Sequence, residues 1–181
     1  MKPKNIVYFD LETQKTAGDV GGWGHKDKML MSVGVTYSTE RASYRIYSER
    51  QVEDLIRELQ RADLVVGYNV EKFDYGVLMA YTILDLPSAL YTLDMLVEVE
   101  KRLGHRLSLE AIAQASLGVG KIADGLDAIR WWREGRVRDV AEYCCFDVKV
   151  TKMVHEFGVQ NGYVLYNDRF GKVQQVEIDW K

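Results

Sequence analysis

The chain has 181 residues, of which 47% are hydrophobic and 28% charged, and its formal net charge is −3. This balance is typical of one globular domain, and the mild acidity argues against a protein that holds long stretches of nucleic acid by charge alone. No apolar run approaches the ~18 residues of a membrane span, so no membrane contact is expected. The two cysteines, Cys144 and Cys145, are adjacent, which predicts neither a disulfide framework nor a zinc site and favours a reducing, cytoplasmic setting.

The first third of the chain predicts three antiparallel strands. Residues 5–10 form a buried apolar run, and residues 29–37 and 42–47 have strand composition with a polar turn between them. Residues 13–28 contain four glycines around Trp23 and are expected to form a long loop.

Helices and strands are expected to alternate along the rest of the chain. The first helix should begin after Ser48, which forms a Ser-x-x-Gln capping pattern with Gln51. The elements that follow are a strand at 63–68, a helix at 73–81, a strand at 89–93, helices at 94–103, 108–118, 126–133 and 137–157, and a hairpin at 162–181 that turns near 167–172. This order predicts an α/β fold with a mixed central sheet and flanking helices.

Asp10 and Glu12 are two residues apart at the expected end of the first strand, so their side chains should point to the same face. Two carboxylates on one face are costly unless a cation lies between them, and hard oxygen ligands suit Mg²⁺ or Mn²⁺. Taken alone, however, the pair is better explained as two solvated acids at a strand end.

Three further residues indicate a functional site only when their order along the chain is considered. Asp74 opens a helix, where an aspartate often makes only a favourable contact with the helix dipole. Tyr143 and Asp147 lie one turn apart on one helix face, a spacing that packing or surface pairs also produce. Two acids on the first strand, a third at a helix start and a fourth on a late helix together favour one shared site.

The segments YFDLET, GYNVEKFD and Tyr143-x-x-x-Asp147 resemble, in this order, the three motifs of DEDD (DnaQ-like) 3′–5′ exonucleases, which have a ribonuclease-H-like fold. Tyr143 indicates the tyrosine subclass, because Glu142 occupies the position where the other subclass has a histidine. The chain is also similar to the proofreading exonuclease domains of family B DNA polymerases, and residues 124–144 resemble YprB-type domains. The resemblance covers residues 5–158 of an expected single domain, 1–181, and leaves the terminal hairpin unexplained.

The resemblance implies a chemistry and a role for each motif residue. Asp10, Glu12, Asp74 and Asp147 would hold two divalent ions, Mg²⁺ or Mn²⁺, with Asp10 bridging both. Tyr143 would orient the attacking water through a hydrogen bond rather than as a base. The implied reaction releases nucleoside 5′-monophosphates from a single-stranded 3′ end.

Three residues are candidates for contacts with the nucleic acid strand. Asn69 matches a polar position of the second motif, although a role in its turn explains it equally well. Trp23 offers a stacking surface for a base, although packing of its own loop is the better explanation. Arg133 neighbours Trp131 and Trp132, a basic and aromatic mixture that suits a single strand, although one ring of a tandem pair is usually in the core. The dense basic cluster in this part of the chain comprises Lys121, Arg130, Arg133, Arg136 and Arg138.

Two other function classes remain open at this point. One is an inactive nucleic-acid-binding or partner-docking module, which would need neither the four acids nor the tyrosine. The other is an endonuclease of the same fold, against which the order of the motifs argues. The likely basic contacts with a strand are few, which predicts a weak grip, so that processive action would need a helicase or polymerase partner as a tether.

Overall fold

A five-stranded mixed sheet is the centre of the computed structural model, which describes residues 3–120 and 122–180. The strands are β1 (Ile6–Thr13), β2 (Met31–Ser38), β3 (Ser43–Ser48), β4 (Leu64–Gly67) and β5 (Thr92–Asp94). They lie in the order β3-β2-β1-β4-β5. β2 is antiparallel to both of its neighbours, β1 and β3, whereas β4 is parallel to β1 and β5 is parallel to β4. This arrangement confirms the predicted α/β class with a mixed sheet.

The described residues include seven α-helices, and side-chain caps explain where several of them begin. The helices are α1 (Val52–Arg61), α2 (Asp74–Leu78), α3 (Leu86–Ala89), α4 (Met95–Leu103), α5 (Leu109–Leu117), α6 (Gly125–Arg133) and α7 (Val137–Asn161). Asp94, Ser108 and Asp124 accept hydrogen bonds from backbone N–H groups in the first turns of α4, α5 and α6. The capping box of Ser48 and Gln51 is also present and opens a 3₁₀ turn that leads into α1.

Different helices bury the two faces of the sheet. Val7, Phe9 and Leu11 pack on the side of α1, α2 and α3, whereas Tyr8 belongs to the core formed with α4, α5, α6 and α7. Because side chains alternate along a strand, Asp10 shares the face of Tyr8 and points toward the α7 side of the sheet.

The first strand and the following loop differ from expectation. β1 continues to Thr13, so that Asp10 and Glu12 lie within the strand, paired with Val35 and Val33 of β2, and not at its end. Residues 13–28 were expected to be loop, but 3₁₀ turns form at Gly18–Val20 and Trp23–Met29.

Boundaries later in the chain also shift. α2 ends at Leu78, before the expected end at Tyr81, and the expected strand at 89–93 is preceded by the short helix α3. Pro87 in the first turn of α3 suits a helix start, since the N–H that proline lacks has no partner there. α7 runs four residues beyond the expected end at Phe157.

The expected C-terminal hairpin is present as a separate two-stranded sheet of β6 (Tyr163–Asn167) and β7 (Val173–Glu177). Val164 and Val176 of the hairpin, with Ile178 and Trp180 beyond it, are buried in the core on the α7 side of the main sheet. Gly158 of α7 allows this contact, because a Cβ atom there would lie 2.6 Å from the Trp180 ring. None of the described helices is long and apolar enough to cross a membrane.

Candidate active site

The elements β1, α2 and α7 bring the four predicted carboxylates together. The backbone N–H of Leu11, between Asp10 and Glu12, donates a hydrogen bond to Asp74 Oδ1 at 3.1 Å. Asp147 of α7 is close enough to Asp10 and Glu12 to raise the pKa values of both. Residues from three separate parts of the sequence therefore form one acidic cluster.

Asp94 fixes the turn that carries the second motif, a role that the sequence did not reveal. Its buried carboxylate accepts hydrogen bonds from the backbone N–H groups of Asn69 at 2.8 Å and Glu71 at 3.1 Å, besides capping α4. Asn69 has φ of +66°, a left-handed conformation that asparagine tolerates better than most residues. This network holds the turn between β4 and Asp74.

Burial and mutual repulsion raise the pKa values of three of the acids. Burial is the largest cause for each of them, followed by Asp147 for Asp10, by Asp10 for Glu12, and by Asp10 for Asp74. Glu12 and Asp74 are only 8% and 2% exposed. The ionised cluster is thus costly without a positive charge near it.

This donor set fits a divalent cation of the hard type. It offers oxygen ligands from four carboxylates, which are the ligands that Mg²⁺ and Mn²⁺ prefer, and a cation would relieve the repulsion among them. Cys144 also lies at the cluster, with ligand atoms of Asp10, Glu12 and Cys144 all within 4.8 Å of one another. Its Sγ is 3.6 Å from Asp10 Oδ2, and burial raises the pKa of the thiol, so Cys144 acts as a hydrogen-bond donor that holds Asp10.

Tyr143 lies one turn before Asp147 on α7 and is almost completely buried. Burial, and then the charge of Asp147, which also accepts a hydrogen bond from the phenol, raise the pKa of Tyr143 far above its usual range. Trp131 of α6 packs edge-on against the Tyr143 ring, with centroids 6.2 Å apart. The phenol is therefore neutral and held in place at the acidic cluster.

An open groove of about 450 Å³ leads to the cluster, and Asp10 and Asp147 form part of its wall. Asn69 also lines this groove, where its Oδ1 accepts a hydrogen bond from Arg106 Nη2 at 2.9 Å. Arg106 is the one basic side chain among the described residues that line the groove. It lies in the connection between α4 and α5 and belongs to no motif, so no sequence pattern pointed to it.

Trp23 and Arg133 lie outside the described lining of the groove. Trp23 is 65% exposed and contacts the edge of Phe73, the residue before Asp74, at 6.2 Å between ring centroids. Arg133 forms an ion pair with Asp19 at 2.6 Å, which joins α6 to the segment after β1. Their contacts with a substrate stay predictions.

The basic cluster around α6 and the start of α7 is largely neutralised by acids of the same helices. Arg130 pairs with Asp127 at 2.7 Å and Arg138 with Glu142 at 2.8 Å. Arg136 pairs with Asp139 and also lies over the Trp131 ring, and both Trp131 and Trp132 are half-buried. Lys121, the remaining member, lies outside the described residues.

Solved structures resemble this chain in fold, whereas no curated protein matches it. Among solved structures it is similar to the family B DNA polymerase from the hyperthermophilic archaeon Pyrobaculum calidifontis, with a TM-score of 0.67 over 87% of this chain and 14% sequence identity. The likeness spans 25% of the polymerase chain and, at this identity, concerns the fold alone. A model of the RNase_H superfamily matches residues 7–156, and the chain therefore belongs to that superfamily, as the predicted ribonuclease-H-like fold requires.

Proposed function

We propose that this chain is a metal-dependent 3′–5′ exonuclease of the tyrosine subclass that releases nucleoside 5′-monophosphates from single-stranded ends. The observation that carries the proposal is the convergence of four carboxylates and a neutral tyrosine beside an open groove. Membership of the RNase_H superfamily and the likeness in fold to part of a DNA polymerase support nuclease chemistry on nucleic acid.

Asp10, Glu12, Asp74 and Asp147 would hold two Mg²⁺ or Mn²⁺ ions. When bound, such ions supply Lewis-acid stabilisation of the charge that develops on a phosphate and lower the pKa of a water molecule. The raised pKa values of three of these carboxylates support this assignment, because a cation stabilises their ionised forms.

Tyr143 would position the attacking water. Its proton is committed to a hydrogen bond with Asp147, so the phenol oxygen can accept a hydrogen bond from the water. With its pKa raised so far, the residue cannot serve as a general base near neutral pH. Its contribution is therefore geometric.

Tyr143→Phe should lower the turnover rate by about 10²-fold and leave the metal concentration needed for half-maximal activity unchanged, because a positioning group is lost but no ligand is. Tyr44→Phe is a suitable control, since Tyr44 lies on the outer strand β3 and packs on the Tyr37 ring. Single-turnover rates across a metal titration give both quantities. Full activity of Tyr143→Phe would remove this residue from the mechanism.

Arg106 would bind a phosphate of the strand in the groove, with Asn69 holding its guanidinium. Among the described residues no carboxylate lies within ion-pair distance of Arg106, in contrast to the arginines of α6 and α7. Its charge is therefore available to a substrate.

Arg106→Gln should weaken substrate binding and reduce the slope of log K against log salt by about 0.7, the contribution of one phosphate on a single strand. Arg106→Lys should keep most of the slope, because the charge remains. Arg61→Gln, on α1 at the opposite face of the sheet, controls for the loss of one positive charge. A slope unchanged by Arg106→Gln would show that Arg106 does not contact phosphate.

Blocking the 3′ end of a single strand with a phosphate should slow degradation strongly, whereas the same block at the 5′ end should not. The reason is that the proposed reaction starts at a 3′-terminal nucleotide. Time courses of the two blocked strands and an unblocked strand test the polarity. Slowing by the 5′ block alone would overturn the proposal.

We also propose a reducing, cytoplasmic setting and a helicase or polymerase partner that tethers the domain. Cys144 and Cys145 are both free thiols, which is consistent with a reducing setting. The ion pairs within the basic cluster leave little unpaired charge near the site, which supports a weak grip and hence the need for a tether.

A further inference from the structure

The tip of the C-terminal hairpin presents an aromatic side chain to solvent. Phe170 is 73% exposed, and the hairpin lies beyond residues 7–156, the part of the chain that matches the superfamily. The strands below the tip are anchored, because Ser116 of α5 accepts a hydrogen bond from Leu165 N at 2.8 Å and because Val164 and Val176 are buried. The exposed ring is therefore carried on a fixed support.

The tip itself is also held in one conformation. Asp168 Oδ1 accepts hydrogen bonds from the backbone N–H groups of Phe170 at 2.8 Å and Lys172 at 3.0 Å. Its Oδ2 accepts a hydrogen bond from Gln174 Nε2 at 2.9 Å. Because these hydrogen bonds already order the backbone of the turn, less conformational entropy is lost when a ligand stacks on the ring that it carries.

The charge of the tip is positive. The Arg169 guanidinium lies 4.8 Å from the centroid of the Phe170 ring. Within the described residues, no carboxylate lies within 4.0 Å of the side-chain nitrogens of Arg169 or Lys172. The carboxylate of Asp168 accepts hydrogen bonds from the backbone of the turn instead. An exposed aromatic ring with unpaired cations one residue before it and two residues after it in the sequence suits a nucleic acid strand, whose bases stack and whose phosphates are negative.

The end of β6, two residues before the tip, contacts the connection that lines the groove. The ring of Tyr166, at the end of β6, is 6.3 Å from that of His105, whose neighbour Arg106 lines the groove. β7 packs against α4 and β6 against α5, the two helices that this connection joins. A strand that leaves the groove past Arg106 and follows this connection would therefore run toward the tip.

We infer that the hairpin tip, residues 168–172, is a second binding site for the single strand, in which a base stacks on Phe170 and Arg169 and Lys172 pair with phosphates. This inference rests on the proposed function, which places the 3′ end of the strand at the acidic cluster and the rest of the strand along the groove. It extends the substrate contact beyond the groove and gives the hairpin a role.

The test measures binding without turnover, in the Asp147→Asn background, by fluorescence anisotropy of 5′-fluorescein-labelled oligo(dT). For a strand of about 20 nucleotides, Phe170→Ala should raise Kd by about fivefold or more, the effect of losing one stacked base. A strand of about 4 nucleotides, which fills little more than the groove, should show no change. The double variant Arg169→Gln/Lys172→Gln should lower the salt slope for the long strand by about 1.4, two phosphates at about 0.7 each.

Ile83→Ala is the matched control, because Ile83 is an apolar residue that is 99% exposed and lies outside the described lining of the groove. An unchanged Kd for Phe170→Ala on the long strand would overturn the inference and leave the tip as a surface for a protein partner. Equal weakening for the short and long strands, or the same loss in Ile83→Ala, would overturn it as well. The proposed exonuclease function would be contradicted by a different result, namely the absence of cleavage by the unaltered chain.

Discussion

Asp147→Asn should lower nuclease turnover by about 10³-fold or more while the protein stays folded. The replacement weakens a direct ligand, and the charge stabilisation that a bound metal supplies is worth several kcal/mol. The amide keeps an oxygen that can accept the hydrogen bond from Tyr143, so the geometry of α7 should survive. Turnover at saturating metal and substrate is the measurement.

The same variant should unfold in chelator at a temperature no lower than that of the unaltered chain. The charge of Asp147 raises the pKa values of Asp10 and Glu12, so its removal relieves repulsion. Glu156→Gln, also on α7, is the control: Glu156 is exposed and pairs with Lys152 at 2.8 Å, so activity should not change. Near-normal turnover of Asp147→Asn would mean that α7 does not carry the third motif.

Removing divalent metal should abolish activity and make the stability of the protein fall as the pH rises. Burial and Asp147 raise the pKa of Asp10 in the folded state, so above the ordinary value of 3.8 the folded protein binds the proton more tightly than the unfolded chain. The stabilisation from protonated Asp10 is complete below that value and is lost as the pH rises through the raised pKa. Glu12 and Asp74 act in the same direction.

Comparison with Asp10→Asn isolates the titration of the acidic cluster, because asparagine has no proton to lose and its neutrality also relieves Glu12 and Asp74, whereas titrating groups remote from the cluster cancel. In chelator, the melting temperature of the unaltered chain should fall relative to that of Asp10→Asn as the pH rises from about 4 to about 8. At neutral pH, added Mn²⁺ should raise the melting temperature of the unaltered chain above that of Asp10→Asn. The reason is that metal at 100 times its Kd stabilises the folded state by about 2.7 kcal/mol. If the difference between the two melting temperatures stayed constant over this pH range and did not respond to Mn²⁺, the assignment of these carboxylates to a metal site would be contradicted.

The parts of the fold and site that local sequence patterns control were predictable. The two-residue spacing of Asp10 and Glu12 on a strand predicts a shared face, and the four-residue spacing of Tyr143 and Asp147 on a helix predicts another. Capping residues such as Ser108 mark helix starts because their side chains complete the first turn. These features depend on neighbours a few residues away.

Contacts across long sequence separations were not predictable. Asp94 looks only like a helix cap, yet it binds the backbone of Asn69, 25 residues earlier, and so fixes the second motif. Arg106 meets Asn69 across 37 residues. Arg133 was a candidate for substrate contact because its partner Asp19, 114 residues away, is brought to it only by the fold. Such pairings depend on how the helices pack, which no local pattern encodes.

The most direct test of the central claim is the cleavage pattern of a 5′-end-labelled single strand, incubated with the unaltered chain in Mg²⁺ or Mn²⁺, in chelator, and with Asp147→Asn. A 3′–5′ exonuclease gives a ladder that shortens by single nucleotides from the 3′ end, only with metal and only with the unaltered chain. Internal cuts would indicate an endonuclease, and an intact strand in the presence of metal would indicate a binding module. Either of these two results would contradict the proposed function.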